Sequence, residues 1–260
     1  MARFAVILPA AGRSTRFGDA KQKKIFAELD GRAVWLRAAD AFLGREDVGQ
    51  VIVAISPDDR ELFERRYQAN VAFLGIRVVE GGHERHDTIQ RALEAVDPGC
   101  DFVAVHDAAR PCLTPDQVDA VFAAAIEHGA ALLAVAVADT LKRVDADRMT
   151  VETVPRAGLY GAQTPQVFRK DWLIEAYANK SAIAHAITDD AQLVEALGHR
   201  SRIVEGSPMN LKITTQADLK LAAAILKSLP RPERDAPLHP FSEEKTKWVA
   251  GPKKTLDDLF

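Results

Sequence analysis

Residues 4–12 read FAVILPAAG, in which Phe4-Ala5-Val6-Ile7-Leu8 is an unbroken apolar run and Pro9-Ala10-Ala11-Gly12 ends it in a turn of small residues. A short run with no polar alternation marks a strand covered on both faces, as in a parallel sheet. The loop that follows is cationic, with Arg13, Arg16, Lys21, Lys23 and Lys24. Small residues let backbone N–H groups approach an anion closely, so strand, small turn and cations together suit a triphosphate. The loop lacks the Gly-Lys-Ser/Thr of a Walker loop and the GxGxxG of a dinucleotide site, which argues against a dehydrogenase.

Outward from this stretch the pattern repeats. Helical periodicity spans Ala33 to Phe42, an apolar strand Val51 to Ile55, and a charged amphipathic helix Asp58 to Tyr67. Further strands are expected at Ile76 to Val79, Phe102 to Val105, Ala131 to Val137 and Arg202 to Glu205. Helices are expected at Asp87 to Val96, Pro115 to His128, Asp171 to Ala178, Asp189 to Leu197 and Gln216 to Leu229. Strand-helix alternation implies right-handed crossovers, a mostly parallel sheet and helices on both faces, the α/β class. Thr140 to Val154 alternates weakly around Asp145-Ala146-Asp147, as an exposed hairpin would, making 139–157 a candidate dimer arm. The globular domain is expected to be 1–229. Residues 230–260 are proline-rich and charged, with few apolar residues, and read as a tail.

Bulk composition excludes several classes. The 260 residues carry a formal net charge of -3 with 27% charged residues, so nucleic acid is not an expected partner. The longest apolar run, Ala130 to Ala138, is about half a membrane span, and the opening run is too short for a signal-peptide core. The two cysteines, Cys100 and Cys112, make no CxxC pair, which suits buried thiols in a reducing cytoplasm.

Open parallel sheets gather function beyond the carboxyl ends of their strands, which groups three loops: 9–24, 81–88 and 106–111. Asp107, just past an apolar strand, is a hard-oxygen ligand suited to Mg²⁺, or else a turn cap paired with Arg110. Gly81-Gly82 with Arg85 and Thr88 could hold a base and ribose. His83 and His86 lack a third ligand nearby, so zinc is not expected, and His106 reads as a hydrogen-bonded loop residue. Asp139-Thr140, Lys142, Arg156, Lys212 and Thr214 supply cations and hydroxyls for a second phosphate.

Taken together, LPAAGRSTRFG (8–18), VEGGHERHDTI (79–89), VHDAARP (105–111), DTLKRV (139–144), PRAGLYGAQTPQVF (155–168), ITDDA (187–191) and NLKITT (210–215) resemble the 2-C-methyl-D-erythritol 4-phosphate cytidylyltransferases over residues 3 to 228. The resemblance implies a Rossmann-like, GT-A-like nucleotidyltransferase fold with a dimerising hairpin. It also implies transfer of CMP from CTP to methylerythritol phosphate with release of pyrophosphate, as in non-mevalonate isoprenoid precursor synthesis. Arg16, Lys24, Arg156 and Lys212 would then be catalytic. Pro9, Ala10, Ala11, Gly12, Gly82, Asp87, Thr88, Ala108, Arg110, Thr140 and Thr164 would line the substrate sites, and Asp107 would face Mg²⁺ as the cofactor. In the family, Thr140 and Arg156 serve the neighbouring subunit's site, implying a homodimer. Two departures stand out: a glycine usual after PAAG is missing, and Lys21-Gln22-Lys23-Lys24 replaces a Pro-Lys-Gln. Counting back from Leu29-Asp30-Gly31 favours Lys24 as the catalytic lysine, with Lys21 the alternative. A D-ribitol 5-phosphate cytidylyltransferase and a catalytically silent nucleotide-binding protein are the rival expectations.

Overall fold

In the computed structural model, which describes residues 1–18, 23–183 and 186–229, Phe4–Ala10 is strand β1. A small pair, β2 (Glu28–Leu29) and β3 (Arg32–Ala33), leads into α1 (Val34–Asp40). Then come β4 (Val48–Ile55), α2 (Arg60–Leu74), β5 (Arg77–Glu80), α3 (Arg85–Leu93) and β6 (Phe102–Val105). The second half runs α4 (Pro115–His128), β7 (Ala130–Ala136), β8 (Leu141–Val144), β9 (Thr150–Val154) and β10 (Tyr160–Arg169). It ends with α5 (Lys170–Ala178), α6 (Asp190–Ala196), β11 (Arg202–Glu205) and α7 (Gln216–Ser228). These elements belong to one compact unit, Met1–Ser228. The expected tail, 230–260, lies outside the described residues.

Seven strands form one sheet in the order β11-β7-β10-β6-β1-β4-β5. All neighbours pair parallel except β10, which runs against both β6 and β7. The strand period of two splits β1 between two cores. Phe4, Val6, Leu8 and Ala10 face Trp35, Phe42, Phe63 and Phe122, whereas Ile7 faces Ile89, Leu93, Leu173 and Val194. Burying each of these large side chains is worth about 1.5–3 kcal/mol, which is why the run shows no polar alternation. Expectation and structure agree at β1, β6, α4 and β11.

They differ at β10, where no strand is expected. Pro165 sits inside it and cannot donate to a ladder, which in sequence argues against a central strand. The sheet absorbs it with an irregularity: Ala162 pairs with Ala134, and pairing resumes at Gln166 with Leu132. The exposed hairpin exists as β8 paired antiparallel with β9.

Candidate active site

The carboxyl ends of β1, β5 and β6 open onto one cleft. Pro9, Ala10, Ala11 and Gly12 form one wall; Gly82, His83, Glu84, Arg85 and Thr88 form another. Asp107, Ala108 and Ala109 line it from the end of β6, and Lys24 and Lys212 reach it from two further segments. The three loops grouped from sequence therefore meet, joined by a fourth that carries Lys212.

The 81–88 loop is held by close approach. A Cβ on Gly81 would stand 2.7 Å from the Cβ of Ala11, and one on Gly82 would stand 2.4 Å from that of Asp87, so neither position admits a side chain. The Gly81 amide donates to the carbonyl of Ile55 (2.7 Å), and the Gly82 amide donates to the Thr88 hydroxyl oxygen (3.1 Å). That hydroxyl in turn donates to the Glu84 carbonyl (3.0 Å). Helix α3 starts at Arg85, two residues earlier than expected, which puts Asp87 and Thr88 in its first turn. Lys180 Nζ donates to Asp87 Oδ1 (2.7 Å), and that hydrogen bond holds the Asp87 carboxyl below the usual carboxylate range.

Asp107 is the electrostatic centre. It is 7% exposed, and burial alone would push its carboxyl up. Lys212 Nζ at 2.7 Å from Oδ2 and Arg85 Nε at 3.7 Å from Oδ1 win, holding it far below the usual range. Arg110 Nε adds a third cation at 3.7 Å. Lys24 moves the other way: burial lowers its ammonium pKa, and Lys212 and Arg16 lower it further against the pull of Asp107. Lys23, next in sequence, is drawn off to Asp59 Oδ2 at 2.6 Å. Lys21 lies outside the described residues.

The remaining expected site residues are placed as follows. Arg16 sits in the short helix Thr15–Phe17, exposed and near enough to bear on Lys24. Ala108 is a buried floor residue. Arg110 Nη1 donates to the Asn210 carbonyl (2.6 Å), and the Ile213 amide donates to the Ala109 carbonyl (2.8 Å), so the Lys212 loop is docked onto the Asp107 loop. Thr164 lies behind the cleft, 5% exposed, with its hydroxyl on His106 and the Asp107 amide. Thr140 and Arg156 are exposed at the base of the hairpin and are not among the residues lining the cleft.

Sequence reasoning assigned no role to Asp190 or Asn210. Asp190 is fully buried, takes Arg85 Nη2 at 2.7 Å and accepts from the Tyr177 hydroxyl. The available signal was the pair Asp189-Asp190: only one carboxylate can cap α6, and Asp189 does so by accepting from the Gln192 amide (3.0 Å). Asn210, also fully buried, donates Nδ2 to the Thr164 carbonyl (3.0 Å) and ties β10 to the Lys212 loop.

A model of the 2-C-methyl-D-erythritol 4-phosphate cytidylyltransferase family matches residues 4–228. The chain belongs to this family. Among its relatives, the cytidylyltransferase of that name from Rhodopirellula baltica is 42% identical over 86% of this chain and 95% of its own length. The one from Frankia casuarinae is 44% identical over 86% of this chain and 81% of its own. A crystal structure of the Thermus thermophilus cytidylyltransferase, 34% identical, superimposes with a TM-score of 0.72 over 87% of this chain and 100% of that one. The cleft described above therefore belongs to a cytidylyltransferase-family fold. No helix among the described residues is long and apolar enough to cross a membrane.

Proposed function

We propose that this chain transfers CMP from CTP to 2-C-methyl-D-erythritol 4-phosphate, giving 4-diphosphocytidyl-2-C-methyl-D-erythritol and pyrophosphate in non-mevalonate isoprenoid precursor synthesis. The carrying observation is the convergence of Lys24, Lys212 and Asp107 with the small-residue loop and the double-glycine loop in one cleft. A phosphate oxygen of the acceptor attacks the α-phosphorus of CTP, the bond to the bridging oxygen breaks, and pyrophosphate leaves. No side chain need act as nucleophile, so the chain's work is positioning and charge stabilisation.

Lys24, Lys212 and Arg16 face the charge that builds on the triphosphate, where donors in a partly buried cleft act more strongly than in water. Backbone amides of 10–12 approach its oxygens, and Gly82 with Thr88 leaves room for the base and ribose. Asp107 would hold Mg²⁺. Among the described residues no three His, Cys, Asp or Glu side chains group around a cation; Asp107, whose Oδ2 stands 2.7 Å from Lys212 Nζ, would be the carboxylate offered, with phosphates and water in the other positions. That donor set suits Mg²⁺, which binds through one or two carboxylates plus substrate phosphates, and the ion would draw charge off the phosphoryl oxygens.

The protein would work as a cytoplasmic homodimer in which Thr140 and Arg156 complete the neighbouring subunit's acceptor site. Support comes from the exposed Val144, Met149, Val151, Leu159 and Tyr160 along the arm and its root, an apolar surface in search of a partner. Buried, unpaired Cys100 and Cys112 fit a reducing compartment.

The test is pyrophosphate release from CTP and Mg²⁺ with 2-C-methyl-D-erythritol 4-phosphate, D-ribitol 5-phosphate or no acceptor. Release with the first alone is expected. Release with the second alone would move the protein to ribitol phosphate chemistry, and silence with both would sink the enzyme reading.

A further inference from the structure

Two buried amide side chains, Gln163 (8% exposed) and Asn210 (0%), grip the loop that delivers Lys212. Strand β10 bulges where the first of them stands: Gln163, Thr164 and Pro165 lie opposite Leu133 alone, between the pairs Ala162–Ala134 and Gln166–Leu132. Left out of that ladder, the Thr164 carbonyl accepts from Asn210 Nδ2 (3.0 Å). Gln163 Nε2 donates to the Ser207 carbonyl (2.8 Å), and its Oε1 accepts from the Ser207 amide (3.4 Å) and from Asn210 Nδ2 (3.3 Å). Strand β7 lies between β10 and β11, and Ser207 follows the end of β11, so the Gln163 side chain spans a whole strand to make these bonds. A Cβ on Gly206 would stand 2.5 Å from Gln163 Oε1, and glycine there is what lets the amide pass.

The other end of the loop is held from the β6 side, by Arg110 Nη1 on the Asn210 carbonyl (2.6 Å) and the Ile213 amide on the Ala109 carbonyl (2.8 Å). The Asn210 amide closes the turn on the Ser207 carbonyl (3.0 Å). Lys212 is thus strung between two fixed residues, and its Nζ reaches Asp107 Oδ2. A lysine stem is flexible and its ammonium is a point charge, so the held backbone decides where that charge arrives. We propose that Gln163 and Asn210 are positioning residues for Lys212, clamping the 206–213 loop onto the bulge of β10 so that the ammonium enters the cleft. Neither is among the residues lining the cleft. Removing either amide leaves buried backbone groups without partners and loosens the loop at that point.

Two experiments test the clamp, and the first needs no substrate. Amide hydrogen exchange should find the Ser207, Asn210 and Ile213 amides protected in the wild type. Gln163→Met, which keeps the length of the side chain without its amide, should speed their exchange about 10-fold while β1 and β6 exchange as before. Unprotected amides in the wild type, unchanged rates in the variant, or an equal rise through β1 and β6 overturns the clamp.

The second places Gln163→Met in the wild type and in Lys212→Ala and follows pyrophosphate release. In the wild type kcat should fall about 10- to 100-fold, as it does when a reacting group is misplaced by about 1 Å. In Lys212→Ala the same substitution should cost no more than about twofold, because the group it positions is gone. Equal losses in the two backgrounds would make Gln163 independent of Lys212, and no loss in the wild type would show that the loop needs no clamp. Either result defeats the proposal. Asn210→Ser, taken through both measurements, decides if Gln163→Met does not fold. A wild type silent in the release assay marks the failure of the cytidylyltransferase reading, on which the role of Lys212 rests, whereas hydrogen exchange judges the clamp without it.

Discussion

At the scale of single residues, the basic loop separates neighbours by what they touch. Lys24 lines the cleft with its ammonium pKa lowered by burial and by Lys212, whereas Lys23 is paired with Asp59. Lys24→Ala should lower kcat about 10²- to 10³-fold, the cost of removing one donor aimed at developing charge. Lys23→Ala should change kcat little and stability by no more than about 1 kcal/mol, since its pair is partly solvated. Lys24→Ala should also exceed Lys21→Ala in lost turnover; the reverse order would show that counting back from Leu29-Asp30-Gly31 misplaces the catalytic lysine. Asp107 was legible as a charged group two residues past a buried strand, with a metal ligand and a turn cap paired with Arg110 both open, and the structure sets it against Lys212, Arg85 and Arg110. Asp190 and Asn210 were not, because each side chain acts on a partner far along the chain: Asp190 on Arg85, 105 residues away, and Asn210 on Thr164, 46 residues away. No spacing rule reaches that far along a chain.

Elements were legible where local chemistry and tertiary packing agreed. Helix α4 starts at a Thr114–Gln117 capping box and stops at Gly129 in the left-handed region, so both ends are written in the sequence. Helix α7 opens similarly: the Asp218 amide donates to the Thr215 hydroxyl oxygen (3.3 Å), while Asp218 Oδ2 accepts from the amides of Thr214 (2.9 Å) and Thr215 (2.8 Å). These bonds anchor the segment that carries Lys212. The hydrogen bond from Thr214 leads in pulling the Asp218 carboxyl down to about 2 from an ordinary 3.8. A depressed folded-state value means the cap contributes fully above pH about 4 and fades as pH falls toward 2. Acid titration of Asp218→Asn against wild type should therefore show a stability gap at neutral pH that closes over that window; a gap independent of pH would mean the charge is not what caps the helix. Strand β10 was illegible for the opposite reason, since Pro165 contradicts a central strand and only the two flanking ladders override it.

At the scale of the whole molecule, the exposed apolar arm predicts assembly. Sedimentation should find a dimer, and Met149→Asp with Val151→Asp should yield monomers whose turnover drops because Thr140 and Arg156 no longer reach a second site. Monomers of undiminished activity would remove the partner's contribution. Truncation after residue 229 should leave turnover within about twofold, because the described residues that line the cleft all fall within 1–228. The reversed strand has a further consequence for how the chain is made. Strand β7 pairs only with β10 and β11, both of which come later in the sequence. While the protein emerges from the ribosome, AALLAVA at 130–136 has no ladder on either edge until residues 160–169 arrive, whereas β1, β4, β5 and β6 already have one another. A nascent chain paused between those points displays a sticky apolar ribbon, so stalled products should be the ones that chaperones capture and that precipitate when released.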